Sequence, residues 1–159
     1  MAIILHAYNF YRIDDLTFLF TTDAGDDYQR YLISYAKYFA SHPHVAPNFF
    51  SFNLKLVSNG GKQVRKSTDK KIADTVVTIV GDFLDSQTNT VVYVCDNSDG
   101  KQAARSTKFL SWFDYYNHPS SKIVQVTSIL PLADYSSIVH YLFTRKINVL
   151  PTWYLLILN

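Results

Sequence analysis

The feature that most narrows the fold is a change of apolar period at Asn59-Gly60-Gly61. Before it, Phe50, Phe52, Leu54 and Leu56 alternate with Ser51, Asn53 and Lys55. That two-residue period predicts a strand covered on one face. After it, Ile72, Val76, Ile79 and Phe83 recur at helical spacing, with Ser67, Thr68 or Asp69 available as an N-cap. The β-branched run Val76-Val77-Thr78-Ile79-Val80 also suits a buried strand, but the four-residue stripe favours helix. A chain with both periods must combine sheet and helix.

The flanking segments extend the pattern. Tyr8 to Ile13 and Leu16 to Thr22 read as strands about a tight turn at Asp14-Asp15. Asp23 to Asp27 marks a second turn, where Gly25 is free to take a positive φ. Tyr28 to Phe39 reads as one long third strand, and Ser41 to Asn48, with Pro43 and Pro47, as a loop. Thr90 to Cys95 is a short apolar strand. The turn at 96–100 then opens a second helix reaching about Asn117. In it, Asp99 and Gln102 have capping-box spacing, and Phe109, Trp112, Phe113 and Tyr116 form the stripe expected to be buried. Lys122 to Leu130 and Tyr135 to Phe143 make a final strand pair. The fold predicted is α+β: a largely antiparallel sheet of five to seven strands with two helices packed on one face. We expect a single domain over 1–159: strand-rich 1–58, helix-strand-helix-strand-strand 67–145, and an apolar segment 150–159.

Composition limits the chemistry. The 159 residues are 48% apolar and 16% aromatic, which excludes a disordered chain. A net charge of +2 is too small to make the whole surface a nucleic-acid binder. No apolar run is long enough for a membrane helix, so no membrane role is expected. All thirteen acids are Asp. Chemistry that relies on Glu, such as a zinc-protease base, is excluded, and these short carboxylates are expected at turns and caps. Cys95 has no second cysteine for a disulfide or thiol cluster. The opening Met1-Ala2-Ile3-Ile4-Leu5-His6 lacks the basic lead of a signal peptide, so a cytosolic location is expected.

Four groups of residues could carry function. Between Lys55 and Lys71 there is a local excess of five positive charges. Lys62, Arg65, Lys66, Lys70 and Lys71 could hold a phosphate backbone beside a helix N-terminus, unless they form only a solvated loop. Asp96 and Asp99 could hold Mg²⁺ with Arg105 ready for an anion; alternatively they close a turn and cap a helix. His140, near Arg145 and Lys146, could act as acid or base, or simply pack within its strand. Trp153, Tyr154 and Leu156 lie in an apolar tail that must cover its own sheet or meet another chain. His42-Pro43-His44 lacks a further regularly spaced ligand and reads as a loop, so no metal and no cofactor is expected. Tyr28, Tyr31, Tyr35 and Tyr38 along one strand could stack RNA bases or face a protein.

The Tyr8-Asn9-Phe10 opening resembles an uncharacterised Bacteroidetes family known only as a domain of unknown function. So does the block Val92-Tyr93-Val94-Cys95-Asp96 with Ser98-Asp99-Gly100, Ala104-Arg105, Phe109 and Trp112-Phe113. The resemblance covers most of the chain and weakens in the apolar tail. It implies a bacterial cytosolic protein in which Asp96, Asp99, Arg105 and Trp112 belong to a family pattern. It implies no activity, substrate or cofactor.

Three functions are carried forward. The first is a protein-interaction module or homo-oligomer without catalytic activity, expected from the aromatic content and the lack of a complete catalytic set. The second is an RNA-directed toxin or nuclease of a toxin-antitoxin or phage-defence system, with the basic segment 55–71 holding phosphates and His140, Arg105 or Asp96 near the chemistry. The third is a Mg²⁺-dependent phosphohydrolase at Asp96 and Asp99.

Overall fold

The computed structural model describes residues 5–41, 43–44, 46–60, 69–85, 88–95, 99–117, 122–131 and 136–144. Seven strands and two helices follow in the order β1 (Phe10–Asp14), β2 (Thr17–Thr21), β3 (Asp27–Ser34), β4 (Phe49–Ser58), α1 (Lys70–Leu84), β5 (Thr90–Cys95), α2 (Gln102–Tyr116), β6 (Ile123–Pro131) and β7 (Ser136–Thr144). The strands form a mostly antiparallel α+β sheet in the order β1-β2-β3-β4-β5-β7-β6. Among the pairings described, β4 with β5 is the parallel one. They flank α1 in the chain, and a helical crossover is what allows consecutive strands to run the same way.

Two compact units divide the chain, 1–33 with 52–82 and 34–51 with 83–159. In the first, β1 and β2 form the expected hairpin, with Phe10 opposite Phe20 and Arg12 opposite Phe18. Asp14 closes its turn by accepting the Leu16 N–H at 2.8 Å, a bond that also lowers the Asp14 pKa. Gly25 takes φ +86° as its turn requires. Asp27 accepts the hydroxyls of Ser58 and Thr21, which hold its carboxyl below the usual range. The core here is aromatic: the rings of Tyr8, Phe20 and Tyr28 stack in sequence at 6.1 and 5.4 Å.

α1 locks the chain's opening segment to this unit. Asp69 caps the helix by accepting the Lys71 N–H at 2.9 Å, while the other two candidates, Ser67 and Thr68, lie outside the described residues. The β-branched residues do not break the helix, and within it Thr75 and Thr78 donate their hydroxyls to the carbonyls one turn back. Buried Thr75 and Asp74 then accept the N–H groups of Tyr8 and His6. Two polar positions inside the apolar stripe thus supply acceptors to a segment outside any strand.

The second unit has a core of Phe49, Val92, Val139, Tyr141 and Phe143, with Tyr35, Phe39, Val124 and Val126 packed against it. Across the sheet, Phe83 of α1 meets Phe50 at 5.2 Å and Phe109 of α2 stacks on Tyr93 at 4.9 Å. Phe50 pairs with Val91, which shares a face with Tyr93. Within this unit Phe83 and Phe109 therefore lie over the same sheet face.

Several local expectations are corrected. The third strand stops at Ser34 instead of Phe39, and Ala36–Phe39 forms a short 3-10 turn. The Ser34 hydroxyl accepts the Ala36 N–H, offering the backbone a local alternative to the ladder. This breaks the tyrosine row: Tyr28 stacks inside, Tyr31 is on the other face, and Tyr38 lies in the turn. In β4, burial does not follow the Phe50-Leu56 alternation. Phe49 and Ser51 are the buried pair, and the strand is exposed from Leu54 onward. Its first residues are covered on both faces, by Phe39 and by Phe83, while its far end is not. In α2 the aromatic stripe is only half-buried, and the buried side chain is Ser106.

Candidate functional site

The densest arrangement of chemically capable groups surrounds His140, in the middle of β7 and fully buried. β7 sets Tyr93 on one side of it and Thr127 on the other, as direct cross-strand partners. α2 lays Phe109 over the imidazole at 4.6 Å, and Ser106, one turn earlier, reaches Nε2 at 3.0 Å. Gln125 and Thr127 approach the other ring nitrogen, Nδ1, at 3.1 and 3.0 Å. The amide nitrogen of Gln125 can only donate, so Nδ1 accepts and the ring proton lies on Nε2, facing the Ser106 oxygen.

That polarity decides what the cluster can do. A serine nucleophile needs a histidine nitrogen that takes its proton, backed by a carboxylate on the other nitrogen. Here the ring donates to Ser106 and an amide and a hydroxyl stand behind it. Burial lowers the His140 pKa, keeping the imidazole neutral. Two aromatic rings and three polar side chains thus surround a buried imidazole, with Thr127 exposed at the outer side of the network. Ser106 was missed from the sequence, although its spacing from Phe109 and Phe113 puts it on the same helical stripe.

The turn before α2 holds a second constellation. Arg105 forks onto both oxygens of Asp99 at 2.6 and 2.9 Å, and Lys101 adds a cation at 3.5 Å. The Arg105 guanidinium holds the Asp99 carboxyl far below the ordinary carboxylate range. The capping box does not form: the helix begins at Gln102, whose buried Oε1 has no hydrogen-bond partner, and its N-cap is Lys101. Asp99 instead accepts the Lys101 N–H, tying down the turn from one residue further out. Arg105 and Asp99 are therefore brought together, while Asp96 lies outside the described residues.

Of the basic group, Lys71 is engaged: its ammonium meets Asp23 at 2.9 Å and lies 4.5 Å from the Tyr8 ring centre. Lys70 is exposed at the start of α1. Lys62, Arg65 and Lys66 lie outside the described residues, as do His42, Arg145, Lys146, Trp153, Tyr154 and Leu156. Among the described residues no three His, Cys or Asp side chains are grouped to hold a metal ion. No described helix is long and apolar enough to cross a membrane.

Residues 68–149, just over half of the chain, match the model of DUF6169, a family of unknown function. The chain belongs to this family. The DUF6169 span runs from α1 to β7 and contains the whole His140 network and the Asp99–Arg105 pair. The Tyr8-Asn9-Phe10 opening and strands β1 to β4 precede it. No curated protein and no solved structure matches the chain.

Proposed function

We propose that this chain is a non-catalytic protein-interaction module that pairs through β6 with the same strand of a second copy. One observation carries the reading. Among the described residues β6 is the last strand of the sheet, it runs nine residues, and none of them is charged. Its register with β7 is unbroken from Ile123 to Pro131, and Ile129 is 66% exposed. Natural edge strands are normally blunted by charge, bulges or brevity. β1, at the opposite end of the strand order, has all three: five residues, Arg12 and Asp14, and a register shift between them. β6 has none of these.

An uncharged, regular edge strand is a template that another strand can extend. With a second copy the contact is self-complementary, β6 lying antiparallel to β6 about a two-fold axis. The neutral, hydrogen-bonded His140 imidazole supports a structural role for the neighbouring polar groups. Sedimentation velocity over a wide concentration range tests the reading, using the full chain and Ile129→Lys. We expect the wild type to dimerise and the variant to remain monomeric with an unchanged circular dichroism spectrum. A wild type that stays monomeric at every concentration overturns self-pairing.

A further inference from the structure

In the second unit, Phe50, Val91 and Tyr93 share the sheet face that lies under Phe83 and Phe109. Phe49, Val92, Val139, Tyr141 and Phe143 belong to the opposite face by strand alternation and register. These five side chains are nevertheless no more than 4% exposed, and burial raises the Tyr141 phenol pKa. An apolar sheet face this dry needs a second layer. Among the described residues, Tyr35 and Phe39 pack on it from outside the strands. Both are fixed at one corner: the Tyr35 N–H donates to the Phe49 carbonyl at 2.8 Å, and the Phe39 ring stacks on that of Phe49 at 4.0 Å.

Val139 is two strands across and four residues along from Phe49, roughly 17 Å away on standard strand spacings. Side chains gathered at Phe49 do not reach that far, so further apolar groups lie over β7. Val94, beside Val139 on the same face, is 37% exposed, so this cover follows β7 and thins towards the end of β5. The chain carries a segment that matches. β7 continues directly into residues 145–159, which fall in the same unit. Ile147 to Leu158 has no charge, and from Leu150 to Leu158 every residue but Thr152 is apolar or aromatic. Nine extended residues span about 30 Å, more than the length of β7 from Phe143 to Val139. The other stretches of this unit outside the described residues are at most four residues long and join elements at both ends.

We propose that this face is a docking surface for the chain's own segment 150–158, which folds back over β7 and covers Val139, Tyr141 and Phe143. Trp153, Tyr154 and Leu156 are then spent inside one chain and take no part in pairing through β6. The test is nuclear Overhauser spectroscopy on the full wild-type chain, so it needs no variant that must fold. One sample is uniformly isotope-labelled. The other is an equal mixture of labelled and unlabelled chains refolded together and read with an isotope filter, which passes only contacts between copies. We expect cross-peaks from the Val92 and Val139 methyls to side chains of 150–158 in the first sample, and their loss in the second. Cross-peaks that persist in the mixture mean that a second copy supplies the cover, and overturn the proposal. The absence of cross-peaks between 150–158 and Val139 in the first sample overturns it too. A dimer through β6 leaves these cross-peaks within one chain, so failure of either reading shows separately.

Discussion

Nε2 of His140 and Oγ of Ser106 lie 3.0 Å apart, both buried and separated by 34 residues of chain. The bond joins β7 to the first turns of α2, and replacing Ser106 with Ala leaves the ring N–H without an acceptor. The expected loss is about 1–3 kcal/mol, the usual cost of stranding a buried donor. Urea denaturation of Ser106→Ala against wild type measures it.

The same imidazole sets an acid limit. Its pKa in the fold lies below the ordinary 6.5, because burial disfavours the charged ring. The unfolded chain therefore binds a proton first as pH falls. The stabilisation is fully present above about pH 6.5 and is lost as pH drops through the lower folded value. His140→Gln should show a shallower decline than the wild type in urea midpoints measured across that window.

Thr75 accepts the backbone N–H of buried Tyr8 at 2.8 Å. Thr75→Val keeps the shape but removes the acceptor, and should destabilise by about 1–3 kcal/mol, whereas Thr75→Ser should retain most of the stability. Chemical denaturation of the two variants separates lost packing from the lost bond.

Tyr8 also limits stability in alkali. Burial, and then the hydrogen bond its hydroxyl donates to Asp69, push its pKa up to about 12. A raised value favours the neutral phenol in the fold. Its contribution is complete below pH 10 and disappears as pH rises towards 12. Tyr8→Phe should lack one late ionisation in an ultraviolet titration, and its stability should fall less steeply across that range.

Gly60 is placed where no side chain fits. A Cβ there would sit 2.5 Å from the Ala24 carbonyl oxygen and 2.9 Å from the Gly25 backbone. Neither neighbour is the free end of a side chain, so Gly60→Ala should cost about 1–3 kcal/mol as the loops are forced apart. Thermal unfolding measures the loss, and an unchanged Tm would contradict the close approach.

Short-range features read well from the sequence. Thr90 to Cys95 matched its strand to the residue, and the Val76 to Val80 run proved helical despite its β-branching. The many Asp carboxylates serve turns and caps at Asp14, Asp69 and Asp99, because so short a side chain bonds its own backbone neighbours. Each of these outcomes is settled by sterics and hydrogen bonds within a few residues.

The rest depended on which distant segments meet. Nothing local indicates that β4 and β5 become direct neighbours, that Phe39 would cover Phe49 while Leu54 stays exposed, or that Ser106 would find His140. Arg30 looked like one more residue of a strand and became a buried, unpaired cation only when Phe18 and Phe52 closed beside it. Burial and pairing are properties of long-range chain closure, which amino-acid order constrains only through the packing of the whole.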